Sequence, residues 1–183
     1  MKIEQQELYQ QLQTLLESHQ AKANQLASLE TSQLLQKREE TAWNALECIE
    51  HLNRYGDFYL PECRKRLSDH SPISKDLMFK SSWLGEYFAQ SMWPKENFKA
   101  IKTFKSMNPI DSQVKPKSLE VFIDQLEQWS LFLEEAQRYN WNKVKTGISI
   151  SSWLHLRLGD TLRVVFYHHE RHLRQAFRAA NLV

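Results

Sequence analysis

Leu8, Leu12, Leu15, Leu26 and Leu29, with His19 on the same line, recur mostly at steps of three, four or seven residues, and Gln and Glu fill the positions between. That spacing marks one face of a helix, predicted at about residues 3–29. In the segment TAWNALECIEHLNRY, Thr41 is expected to cap the next helix, because its hydroxyl can accept from an unpaired amide of the first turn. Ala45, Ile49 and Leu52 form one stripe, and Asn44, Cys48, His51, Tyr55 and Phe58 a second beside it. His51 therefore falls at the margin of the buried face. This helix is predicted over about 42–67. Pro61 is expected to kink it or start a new one, since proline lacks the amide donor and crowds the turn before it.

SSWLGEYFAQSMW predicts a shorter helix near 82–92, ended by Pro94. Residues 94–117 are polar, carry Lys95, Lys99, Lys102 and Lys105, and are broken by Pro109 and Pro116. They read as a long surface loop. Ser118 is expected to cap a helix at 118–139, in which Leu119, Phe122, Leu126, Trp129, Leu133 and Ala136 alternate steps of three and four, the seam of a bundle. Val144, Thr146, Ile148 and Ile150 alternate as a short strand would. Gly159 and Asp160 are expected to open a last helix at 160–180 with two seams. One is Leu162, Phe166, His169, Leu173, Ala176 and Ala180; the other is Val165, His168, His172, Gln175 and Ala179. A helix with two apolar-lined seams packs against more than one neighbour. The predicted architecture is all-α: a four-helix bundle with one additional short helix and a long surface loop. Trp43, Trp83 and Trp129 each fit a buried helical stripe rather than a ligand cage.

The chain has 183 residues, which suits one domain spanning 1–183 with a real core, and only 4 Gly and 5 Pro, which favours long helices. A net charge of +2 argues against nucleic-acid binding. The polar start MKIEQQELYQ lacks the pattern of a signal peptide, and no stretch approaches 18 consecutive apolar residues, so no membrane span is expected. Cys48 and Cys63 fit no paired zinc pattern, and on one helix they lie too far apart to bridge. Reduced thiols and a cytoplasmic location are the simplest expectation, with Cys48 a small buried apolar residue.

Candidate chemistry centres on FYHHERHLRQAF, which holds three of the seven histidines. His168 and His172, four apart, lie about 40° from one another around a helix and one turn apart. Such a pair can give two imidazole nitrogens to one metal ion, or can pack as neutral rings inside a bundle. His169 and His172, three apart, sit on different seams. A catalytic zinc usually takes three protein ligands, and His19, His51, His70 and His155 are the remaining histidines. His70, in an SDHSP turn, is expected to be exposed, and His155 precedes the last helix. Glu47 reads as a residue of the exposed face, and Glu170 lies too far around the helix to serve His168.

AWNALECIEHLNRYGDFY and LRLGDTLRVVFYHHERHLRQAFR are similar to two patterns of the DinB-like superfamily of four-helix-bundle metalloenzymes. The first resembles its W…E…H pattern on the second helix; the second resembles its LG…HxxxH…Q pattern on the last. The resemblance covers about residues 5–180. It implies a divalent-metal site held by His51, His168 and His172, with zinc or nickel, or iron, as the ion. It also implies a thiol-dependent transferase or isomerase acting on a small molecule, with a low-molecular-weight thiol as partner, and a homodimer. The family often has Ser or Thr directly after the Trp; Asn44 takes that place here. The rival function is a non-catalytic, stress-related bundle with an empty or vestigial site. Binding needs neutral imidazoles, so affinity is expected to fall as pH drops through about 6.5.

Overall fold

The computed structural model describes residues 1–73, 77–95, 103–110 and 112–182. Strand β1 (Lys2–Glu4) leads into helix α1 (Gln5–Ala27), followed by a single turn α2 (Thr31–Leu34) and helix α3 (Ala45–Ser68). Strand β2 (Met78–Lys80) precedes helix α4 (Trp83–Met92), and a 3₁₀ turn (Lys105–Met107) precedes helix α5 (Lys117–Ala136). Strands β3 (Lys145–Ile148) and β4 (Ser151–Arg157) form a hairpin that runs straight into helix α6 (Leu158–Ala179).

Four helices make the bundle. Helices α1 and α3 each pack against both α5 and α6, so α1 faces α3 across the diagonal. Directions follow from the side-chain bonds. Gln5 at the start of α1 donates to carbonyls of Gln137 and Tyr139 just past α5, so these two helices are antiparallel. Asn53 reaches Ser118 and Gln125 reaches Asp57, so α3 and α5 run parallel. Glu62, late in α3, accepts from the amide of Gly147 just before α6, while His51, early in α3, meets His168 well inside α6; α3 and α6 are antiparallel.

The seam predicted on α5 is buried throughout, as is the α6 seam from Leu162 to Ala180. On α1 the buried line is Leu8, Leu12, Leu16, His19, Ala23 and Leu26: Leu16 takes the place expected for Leu15, and Leu29 lies past the helix end, partly buried. Helix α4 covers a third face of α6. There Ala89, Ile148, Leu156 and Val164 form a separate small cluster with Phe88, Met92 and Tyr167.

Several local expectations are corrected. The N-cap of α3 is Asn44, not Thr41: its side chain accepts from Glu47 N, and Glu47 accepts from Asn44 N in return, a capping box. Glu47 is accordingly buried, and its carboxylate also takes Lys37 at 3.0 Å. Helix α3 continues through Pro61 as one element. Helix α5 starts one residue before Ser118, whose hydroxyl instead donates to Glu50. Helix α6 starts at Leu158, and Asp160 inside its first turn accepts from the Ser81 and Ser82 hydroxyls and from Ser82 N. Trp83 is 82% exposed rather than buried, stacked on Tyr87 at the surface. Trp43 precedes the helix and is partly buried, and Trp129 is buried as expected.

Strands β1 and β2 pair antiparallel with Ile3 opposite Phe79. They are too short to leave a periodic signal. Lys99 and Lys102 lie outside the described residues; Lys95 and Lys105 are exposed. Among the described residues, no helix is long and apolar enough to cross a membrane.

Candidate metal centre

His51 stands two turns into α3, and His168 and His172 stand one turn apart in the middle of α6. Because the two helices are antiparallel neighbours, all three rings meet. Their ring centroids are 5.0 Å (His51 to His168), 4.5 Å (His51 to His172) and 4.6 Å (His168 to His172) apart. One ligand nitrogen from each lies within 4.8 Å of the other two. All three rings are buried.

The rings are oriented from behind. Nδ1 of His51 lies 2.7 Å from the carbonyl oxygen of Met107. A carbonyl only accepts, so this nitrogen carries the proton, and a neutral His51 presents the lone pair of Nε2. Nδ1 of His172 donates to Oε1 of Gln175 at 3.0 Å and frees its own Nε2 in the same way. The capping box fixes where α3 begins, and Arg54, one turn after Glu50, bonds the carbonyls of Ser106 and Asn108 on either side of Met107. The segment expected to be a plain surface loop thus supplies the partner of His51. Trp43 packs on His51 and His172 at 4.8 and 5.7 Å, and Tyr55 on His51 and His168 at 4.9 and 4.6 Å.

Burial dominates the electrostatics. It lowers the pKa of His51 to about 4, with the Met107 bond opposing and the charges of Arg54 and Arg171 adding to the fall. His168 and His172 are pushed well below the ordinary histidine value, first by burial and then by the neighbouring histidines, which disfavour a second positive ring, and by Arg171. Three neutral imidazoles are the form a metal ion requires.

The Nε2 atoms of His51 and His168 are 3.1 Å apart. Two imidazole nitrogens each about 2.0–2.1 Å from one zinc ion are separated by roughly 2.9 Å at a right angle and roughly 3.3 Å at a tetrahedral one. The donor set, its tautomers and its spacing therefore fit a divalent ion.

The remaining histidines are elsewhere. His70 and His155 are exposed. His169 and His19 sit in the core with ring centroids 5.6 Å apart. Glu170 turns to His19, Lys22 and Arg174, at 3.4, 2.6 and 2.6 Å. Cys48 and Cys63 are free, fully buried thiols, pushed up in pKa by burial and inert as nucleophiles. Two supporting residues lay beyond sequence reasoning. Met107 contributes only backbone, which leaves no residue-type signal, and the role of Trp43 depends on a turn. Gln175 was legible, since it shares a seam with His172 three residues on.

The three rings also form part of the wall of a cavity of about 380 Å³, whose other sides come from α3, α4 and the β3–β4 hairpin. Fold and site together define a helical-bundle protein with a buried three-histidine group able to hold a metal ion. The sequence model of the DinB superfamily matches residues 15–176, and the chain belongs to that superfamily. No curated protein and no solved structure matches it.

Proposed function

We propose that the chain is a metal-dependent enzyme whose divalent ion is held by His51, His168 and His172. The observation that carries this reading is the convergence of three buried ring nitrogens within 4.8 Å, two of them with their opposite nitrogen already committed. Zinc or nickel suits three imidazoles best, with iron as the further choice. When bound, such an ion supplies Lewis acidity and holds water or a thiol in its deprotonated form.

The residues themselves do the rest. Met107 and Gln175 hold the tautomers and ring planes of His51 and His172. Trp43 and Tyr55 shield the rings from bulk water and leave the cavity side for a small-molecule substrate. A low-molecular-weight thiol is the partner that the superfamily resemblance suggests. The same resemblance favours a two-fold dimer, for which the exposed Trp83 and Trp153 offer apolar surface. Sedimentation at micromolar concentration should then show a species of twice 21.8 kDa.

Elemental analysis of protein purified without a histidine tag tests the site directly. About one equivalent of divalent metal is expected, lost in His51→Ala and His172→Ala. Substoichiometric metal in the parent protein, with no uptake on dialysis against zinc or nickel, would overturn the reading and favour a non-catalytic bundle.

A further inference from the structure

The cavity beside the three histidines has a lopsided chemistry. Tyr87 and Phe88 of α4, Phe104 just ahead of the 3₁₀ turn, Ile148 and Leu156 of the hairpin, and Val164 of α6 give it carbon-rich walls. Among the described residues no Asp, Glu or Lys lines it, and its one charged side chain is Arg171. Of the hydroxyl groups in the wall, that of Tyr59 lies 3.4 Å from the Ser149 hydroxyl and accepts from Ser149 N at 3.3 Å, and Ser91 donates to the Phe88 carbonyl; Tyr55, Tyr87 and Thr103 bring the others. A sugar-like body carries more hydroxyls than these few groups can pair, and each one left facing carbon would weaken binding. An apolar ring would instead be taken out of water against Ile148, Leu156 and Val164, with gain in proportion to its area. At about 380 Å³ the cavity is near the lower limit of small-molecule sites, which restricts the body to one or two rings. Charge sets the head group. Neutral imidazoles leave the full charge of a divalent ion uncompensated, so an anionic head is favoured.

We propose that this cavity selects compounds with one anionic, metal-ligating head, a thiolate or a carboxylate, on an apolar body of one or two rings. The proposal rests on the three-histidine metal reading for the head, and on the cavity walls alone for the body.

The test uses the full chain loaded with cobalt(II), whose visible spectrum reports ligation. Two probe pairs share a head and differ in body: phenylmethanethiol against 2-mercaptoethanol, and phenylacetate against acetate. The ring-bearing member of at least one pair should bind about tenfold or more tightly. The pair that responds identifies the head. A second readout needs no metal: in chelator-treated protein, methyl NMR signals of Ile148, Leu156 and Val164 should shift with phenylmethanethiol and stay in place with 2-mercaptoethanol. Val164→Phe, which fills the cavity, should cut the preference to under threefold while the cobalt spectrum persists. Should that variant fail to fold, Phe104→Ser, at a position 55% exposed, should also reduce it. Equal affinities within both pairs on cobalt-loaded protein, or unmoved methyl signals at millimolar ring-bearing probe, would overturn the proposal. Absence of a cobalt spectrum alongside shifted methyl signals would instead overturn the metal reading and leave the cavity's selectivity standing.

Discussion

His169 packs among the rings of His19, Phe122 and Phe166, and neither of its ring nitrogens has a hydrogen-bond partner. Its neighbour His168 presents Nε2 to His51. One step of about 100° around α6 separates a core position from a ligand position. His168→Ala should therefore abolish metal uptake. His169→Leu should leave uptake within about threefold and hold or raise the melting temperature, because an apolar side chain of similar size removes two unpaired buried nitrogens. Equal loss of metal from both variants, measured by calorimetry, would mean the wrong ring was assigned. Burial also sets the pH response. The unfolded chain takes up protons near 6.5, while folded His51 resists them down to about 4. Below 6.5 the unfolded state thus binds more protons, so stability falls with falling pH. This contribution is fully present above 6.5 and is lost as pH approaches 4. From His51 alone, metal-free protein should lose about 2 kcal/mol between pH 7 and pH 5, with His168 and His172 adding in the same direction. A urea midpoint unchanged over that interval would refute it. Metal affinity should likewise hold below 6.5, further into acid than free imidazole would allow.

Long helices were legible because each repeats its apolar signal over several turns. The seam from Leu119 to Ala136 and the two seams of α6 needed no tertiary information. The i, i+4 pair His168 and His172 could be read the same way, whereas choosing His51 as third ligand required the family resemblance, since pairing of α3 with α6 is a long-range event. Helix starts were less legible. Asn44 outcompetes Thr41 as cap because Glu47 stands at the third helical position and can return the bond. The two-stranded β1–β2 pair left no trace, yet it positions Phe79 against the first turn of α6. At Gly159 an added Cβ would meet the fully buried Phe79 ring at 2.5 Å. Replacing Gly by Ala in a helix ordinarily gains about 1 kcal/mol, and overpacking a core costs typically about 1–3 kcal/mol. The ring is enclosed and has little room to yield, so overpacking should win. Gly159→Ala should lower the melting temperature while helix content by circular dichroism is kept; a rise would show that β2 shifts freely.

Across the whole molecule the histidines tie α3 to α6, two elements more than a hundred residues apart in the chain. An unfolded chain cannot hold these three rings together, so an ion that binds them binds the folded state. Stabilisation then follows mass action: about 2.7 kcal/mol at a free metal concentration one hundred times Kd. For a chain of this length that corresponds to a rise in melting temperature of roughly 5–10 °C. Two exposed histidines, His70 and His155, supply a built-in contrast. Ions bound there would be counted in a binding titration yet would add little stability, since such rings are equally available after unfolding. Zinc should therefore raise the melting temperature of the parent protein and of a His70→Ala/His155→Ala double variant alike. The rise should vanish in His51→Ala, which leaves α6 untouched but removes the link between helices. Retention of the full shift in His51→Ala would place the stabilising ion somewhere other than between α3 and α6.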